Sequence, residues 1–223
     1  MTPNPSPSAY IFDLDGTLVD SFRAIQASVN YVRKHHGLTP LPLGVVQAAV
    51  GRGLRKLMEL TIPVGDVEAN SALFQDHHPS FVAEGTDLLP GVRETIAELH
   101  ARGAKLGVCS NKPLPLSNEV LRATGLTPYF SSVFGPERCA FPKPAPDMLL
   151  GALIELQVAA NDALYVGDMT IDVETAQAAG VEVWVIPSGT QSREVLAAAS
   201  PQRILTDFAE LLSLPFPART RIG

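Results

Sequence analysis

The stretch Tyr10-Ile11-Phe12-Asp13-Leu14-Asp15-Gly16-Thr17 constrains this chain more than any other. Three large apolar residues suit a strand buried on both faces, and the run then breaks into two aspartates and a glycine. Asp13 and Asp15 therefore stand at the carboxyl end of a strand, two residues apart, which on a continuing strand puts both carboxylates on one side. Gly16 lets the chain leave sharply. Open α/β sheets place ligands at that end of their strands, so the rest of the chain is read for what it brings to the same edge.

Downstream, Asp20 or Ser21 caps a helix whose apolar positions Phe22, Ile25, Val29 and Val32 share one face, ending near Gly37. Short helices over 43–50, 54–60 and 67–74 follow, separated by Gly51, Gly53, Pro63 and Gly65, with no convincing strand before Gly85. We read residues 20–86 as an inserted all-helical domain. From Leu89 the pattern alternates: helix from Pro90 to Gly103, strand 105–109, helix 116–124, strand 132–134, helix 146–156 and strand 163–166. Helix 171–179, strand 181–186, helix 193–198, a short strand at 204–205 and a terminal helix 207–212 complete it. The fold class predicted is α/β, a doubly wound parallel sheet formed by 10–19 and 87–214. Residues 1–9, rich in Pro and Ser, read as a flexible arm, and 215–223 as a loose tail.

With 223 residues and 46% hydrophobic content the chain can bury a real core. A net charge of −6 without any Lys/Arg run argues against nucleic acid as a partner. No apolar run approaches the ~20 residues of a membrane span, and the first residues lack the basic and apolar segments of a signal peptide, so a cytoplasmic location is expected. Cys109 and Cys139 are too few for a disulfide framework and read as reduced thiols.

Each strand-to-helix junction delivers polar residues to the edge that carries Asp13 and Asp15. Ser110 and Asn111 follow the second strand and offer a hydroxyl and an amide, good partners for phosphate oxygens. Lys143 lies between Pro142 and Pro144, which stiffen its loop. Asp168 and Asp172 end another strand and open a helix. Four carboxylates at one edge repel, each close pair by about 4 kcal/mol at an effective dielectric of 20. A cation is therefore part of the design, and an all-oxygen donor set favours Mg²⁺. Arg52, between Gly51 and Gly53, is the helical block's candidate for a substrate carboxylate, with a solvated basic helix start as the competing reading. The pairs His35-His36 and His77-His78 read as solvated helix ends, ahead of metal binding.

In this order, Asp13-Leu14-Asp15-Gly16-Thr17, Ser110, Lys143 and Gly167-Asp168 with Asp172 resemble the four motifs of the haloacid dehalogenase superfamily. Leu89-Pro90-Gly91-Val92, Ser110-Asn111-Lys112-Pro113 and Lys143-Pro144-Ala145-Pro146-Asp147 resemble its phosphoglycolate phosphatase-like subgroup, in which a helical cap lies between the first two motifs. Met169 and the Leu88-Leu89 pair depart from that subgroup, which often has serine and an aromatic there.

The resemblance implies a Rossmann-like core and Mg²⁺-dependent hydrolysis of a small phosphorylated metabolite, 2-phosphoglycolate first, by a monomer or homodimer. It implies that Asp13 attacks phosphorus to form an aspartyl-phosphate and that Asp15 is the general acid and base. It implies further that Ser110, Asn111 and the backbone NH groups of Leu14 and Asp15 hold the phosphoryl oxygens while Lys143 stabilises nucleophile and charge. Metal binding falls to the Asp13 carboxylate, the Asp15 carbonyl and Asp168, with Asp172 orienting a metal-bound water or Lys143, and Thr17 serves as a turn stabiliser. Rival readings are a sugar-phosphate mutase, a pyrophosphatase or nucleotidase, and a non-catalytic binding module. Asp15 favours an ester or anhydride over the family's dehalogenating and phosphonate-cleaving branches.

Overall fold

Over the described residues 6–216 of this computed structural model, a parallel sheet carries a block of helices inserted after its first strand. β1 (Ala9–Phe12) is followed by β2 (Val19–Asp20), α1 (Phe22–His35), α2 (Leu43–Gln47), α3 (Leu54–Thr61), α4 (Val67–His77), α5 (Pro79–Gly85) and β3 (Asp87–Leu88). Helix and strand then alternate through α6 (Val92–Ala101), β4 (Lys105–Cys109), α7 (Leu114–Ala123), β5 (Ser132–Phe134) and α8 (Asp147–Leu156). β6 (Ala163–Gly167), α9 (Thr170–Ala179), β7 (Glu182–Val185), α10 (Arg193–Ala198) and β8 (Arg203–Ile204) complete the pattern.

The sheet runs β5-β4-β1-β6-β7-β8 with every neighbouring pair parallel. β1 lies inside it, Phe12 standing opposite both Val108 and Val166. Its unbroken apolar run follows from that position, because both of its faces are covered. Tyr10 and Phe12 join one core with Val92, Ile96 and Leu99 of α6, while Ala9 and Ile11 join the opposite core with Leu149 and Leu153 of α8. Connections toward β4 and β5 use the first face and those toward β6 and β7 the second. Chain direction across the sheet thus reverses at β1, which opens a crevice at the carboxyl ends of β1, β4 and β6.

The inserted helices have an apolar core of their own, built from Ile25, Val29 and Val32 of α1, Val46 of α2, Leu57 and Met58 of α3, and Phe74 of α4. Leu116 of α7 enters that cluster and joins it to the sheet side. Val82 of α5 packs instead into the first sheet core.

Several expectations change here. A strand does precede Gly85: β2 pairs antiparallel with β3, Val19 opposite Leu88, and so ties together the two chain crossings into and out of the helical block. Two residues are too few to show a period, which is why the sequence conceals it. Helix α5 was not expected, and the terminal turn Phe208–Leu212 is a 3-10 helix. Residues 7–9 are not a loose arm, because Pro7 is buried, the Ser8 hydroxyl donates to Asp162 at 2.5 Å and Ala9 opens β1; Ser6 is exposed, and residues 1–5 lie outside the described part. Phe216, assigned to the tail, is buried in the first core, and 217–223 lie outside the described residues.

The second histidine pair is not a solvated helix end. α4 continues to His77, so His78 is carried inside, its ring stacked on Phe74 and its Nδ1 3.1 Å from the Ser28 hydroxyl. His36 meets Asn70 Oδ1 at 2.6 Å. Both cysteines are free thiols, and no helix among the described residues is long and apolar enough to cross a membrane.

Candidate active site

Asp13, Ser110 and Asp168 are the residues immediately after β1, β4 and β6, so the parallel register alone brings them together. The Asp13 NH still donates to Val166 O at 2.9 Å and the Ser110 NH to Phe134 O at 3.1 Å, which extends the ladder one step beyond the strands. After Asp13 the chain folds tightly on the Leu14 carbonyl, which accepts from the NH groups of Thr17, Leu18 and Val19. The Leu14 side chain is buried in the core, and its NH bonds the Asp13 carboxylate.

Gly16 has φ +89°, and a Cβ there would sit 2.4 Å from Asp168 Oδ2. Its glycine is required twice over, by conformation and by close approach. Thr17 does more than stabilise the turn: its hydroxyl donates to Asp168 Oδ1 at 2.7 Å. From the other side, the Ser188 hydroxyl donates to Gly16 O at 2.6 Å, and a Cβ on Gly189 would fall 1.7 Å from Asp168 Oδ2. Asp168 is thus enclosed between two glycines.

Lys143 reaches the centre from its proline-flanked loop. Its Nζ lies 3.0 Å from Asp13 Oδ1, 2.7 Å from Asp172 Oδ1 and 3.1 Å from the Tyr165 hydroxyl. Asp172 uses both oxygens: Oδ1 accepts from Lys143 and stands 3.1 Å from the Tyr165 hydroxyl, and Oδ2 accepts from the NH groups of Asp168 and Met169. It therefore orients Lys143. Asn111 departs from its expected role, because its amide donates to Gly51 O and Lys143 O, both at 3.1 Å, and accepts from the Lys143 NH at 3.0 Å. It links the helical block to the lysine loop instead of standing free for an anion.

Asp15 faces the helical block. Both its oxygens lie 3.2 Å from Lys112 Nζ, and it accepts the Ser21 hydroxyl. Asp13, Asp15, Ser110, Asn111 and Lys112 line one wall of a pocket whose opposite wall is Ile25, Val50, Leu54, Leu57 and Phe74. Arg52 is not on that pocket. Gly51 turns inward against Met169 and Asn111, and Gly53 approaches the Asn111 carbonyl, so the residue between them points outward into an open groove beside Pro142 and Glu137. The turn geometry that suggested Arg52 is what carries it away.

Sequence reading passed over Lys112, Tyr165 and Gly189. Lys112 sits inside the tetrapeptide 110–113 that was singled out, but its inward direction depends on how α7 starts. Tyr165 looked like another apolar residue of β6, and nothing in the sequence near Gly189 signals Asp168.

Electrostatics define what the edge can hold. Ligand oxygens of Asp13, Asp168 and Asp172 lie within 4.8 Å of one another, while the Asp15 carboxylate is not among them. Burial pushes the Asp13 carboxyl up to about 6, against the Lys143 charge and with that of Asp172. Asp168 is driven well above the carboxylate range by burial, then by Asp172 and Asp13. Burial would lower Lys143, but the Asp13 and Asp172 charges outweigh it and hold the ammonium protonated. One ammonium does not balance three carboxylates, and Asp13 Oδ1, though 3.0 Å from Lys143, has no hydrogen bond. Hard oxygen donors with that charge deficit fit a divalent cation.

Residues 10–186 match the haloacid dehalogenase-like hydrolase family, and the chain belongs to it. Within that family it is a phosphatase of the phosphoglycolate phosphatase-like kind. A phosphoglycolate phosphatase of Rhodospirillum rubrum is 36% identical over 231 residues, covering 97% of this chain and 95% of its own. One from Yersinia pestis is 33% identical over 208 residues, covering 90% of each. Among solved structures, a predicted phosphoglycolate phosphatase from Haemophilus somnus superposes with TM-score 0.86 at 26% identity, covering 92% of this chain and 96% of its own.

Proposed function

We propose that this chain is a Mg²⁺-dependent phosphatase that hydrolyses a small phosphorylated metabolite through an aspartyl-phosphate on Asp13, with 2-phosphoglycolate as its substrate. The observation that carries the reading is the Asp13 carboxylate, buried at the end of β1 between the Lys143 ammonium and the Ser110 hydroxyl, with Asp15 on the same pocket. The names of the relatives support the substrate.

Asp13 attacks phosphorus as the ester oxygen leaves, dividing one displacement into two easier ones. Asp15, on the pocket side of Asp13, gives its proton to that oxygen and in the second step takes one from the water that displaces the Asp13 carboxylate from phosphorus and releases inorganic phosphate. Ser110 and the NH groups of Leu14 and Asp15 donate to the phosphoryl oxygens, and Lys143, held by Asp172, offsets the charge that develops there. Asp13, Asp168 and the Asp15 carbonyl would hold Mg²⁺, which when bound supplies the positive charge that the carboxylates and the phosphoryl group share. Residues 20–86 act as the cap that excludes water above the site.

Phosphate release from a panel of small phosphates, with and without Mg²⁺, tests this. We expect 2-phosphoglycolate to lead, release to stop without the metal, and Asp13→Asn to lose at least about 10³-fold, the scale of removing a nucleophile. An Asp13→Asn enzyme near wild-type rate overturns the mechanism. Isomerised sugar phosphate without free phosphate would make the chain a mutase, and preference for pyrophosphate or nucleotides would replace the substrate.

A further inference from the structure

The two walls of the inner pocket differ in kind. On the helical side Ile25, Val50, Leu54, Leu57 and Phe74 offer no hydrogen-bonding side chain. Opposite them, Lys112 is the positively charged side chain on the pocket wall among the described residues; Arg52 stands in the outer groove, and Lys143 lies behind Asp13. Lys112 is 8% exposed, and its charge is met by Asp15. Behind it the buried His78 ring is held neutral, pushed down to about 3 by burial and then by Lys112 itself.

A phosphoryl group over Asp13 directs its ester oxygen toward Asp15, so whatever the oxygen bears next meets Lys112 and the apolar wall. An ammonium in such a place favours an anion close to the ester and gains little from a neutral chain. A sugar would leave its hydroxyls unpaired against Ile25, Leu57 and Phe74. We infer that Lys112 is the specificity residue of this enzyme, and that it selects short phosphate esters carrying a second negative group, such as a carboxylate, one or two carbons from the ester oxygen. This rests on the phosphatase reading above and places substrate selection on the sheet side of the pocket, not on Arg52.

The test compares kcat/KM for 2-phosphoglycolate with kcat/KM for 2-hydroxyethyl phosphate, of the same length with a hydroxyl in place of the carboxylate. Using the ratio cancels any loss that both esters suffer through Asp15. Wild type should favour the carboxylate strongly, Lys112→Gln should shrink the ratio at least about 10-fold, and Lys112→Arg should keep most of it. Thermal melts establish folding, and Lys112→Met replaces Lys112→Gln if the latter does not fold. A ratio unchanged in the neutral variants, or near one in wild type, overturns the inference. If wild type ignores 2-phosphoglycolate but prefers another carboxylated ester such as phospholactate over its neutral counterpart, and Lys112→Gln removes that preference, the substrate falls while Lys112 stands. Hydrolysis of no ester at all removes the phosphatase reading and this inference with it.

Discussion

The ammonium of Lys143 lies 2.7 Å from Asp172 Oδ1, and neither side chain reaches solvent to a useful degree. This pair fixes the lysine beside Asp13, and a buried pair that loses one charge is expensive to keep. Asp172→Asn keeps the shape and one of the two acceptor oxygens but removes the charge and sets an NH2 donor against the groups that bond the other oxygen. We expect a loss of about 3–5 kcal/mol in stability and a fall in kcat of about 10²-fold, from denaturant melts and single-turnover rates. A variant as stable and as fast as wild type would show that Asp172 does not govern Lys143.

Asp13 is raised to about 6 in the fold from an ordinary value near 3.8, and Asp168 is raised in the same direction. Between about pH 4 and pH 6 the folded chain therefore binds more protons than the unfolded one, and the stability due to Asp13 is lost as pH rises through that window. The Tm of metal-free protein should fall over the window, and Asp13→Asn should flatten part of the slope. Added Mg²⁺ should raise Tm more at about pH 7 than at about pH 4.5, where the carboxyls hold protons. Melts in a chelator across this range decide it, and equal stabilisation by Mg²⁺ at both ends would contradict the charge argument.

The Tyr165 hydroxyl donates to Cys109 O at 3.0 Å and stands 3.1 Å from both Lys143 Nζ and Asp172 Oδ1. Tyr165→Phe leaves a buried carbonyl unpaired, at a cost of about 1–3 kcal/mol. With Lys143 less firmly held, kcat should drop several-fold while KM stays within about twofold, as for an interaction made in the transition state. A change confined to KM would place the tyrosine's influence on binding.

Gly189 leaves no room for a side chain beside Asp168. Gly189→Ala must move that carboxylate, so the Mg²⁺ concentration giving half-maximal thermal stabilisation should rise about 10-fold or more. Gly44→Ala, where a Cβ meets nothing within 4 Å, is the control. Equal metal titrations for the two variants would exclude Asp168 as a ligand.

Much of the sheet was legible because its signals are local. The runs that became β4 and β6 are short, apolar and bounded by turn residues, and helix α10 coincides with its expected span. The ribbon of β2 and β3 and the inward course of His78 were hidden, since the first has no period and the second depends on where α4 stops. At the site, Asp13, Ser110, Lys143 and Asp168 could be named from their junctions, whereas Asn111 was given an anion to hold and instead bonds Gly51 and Lys143. Side-chain amides take whichever partners the packed loops present.

What the amino-acid order by itself determined is the edge: apolar strands that must be buried on both faces, each ending in a polar residue, so that any parallel pairing gathers those residues in one crevice. What only the tertiary structure decided is direction. Arg52 faces outward because Gly51 packs on Met169 and Asn111 when the helical block meets the sheet, and Lys112 faces inward because the turn into α7 carries it to Asp15. Spacing along a chain sets which residues share a strand end, but the side on which a flexible cation finds its partner follows from contacts between segments distant in sequence.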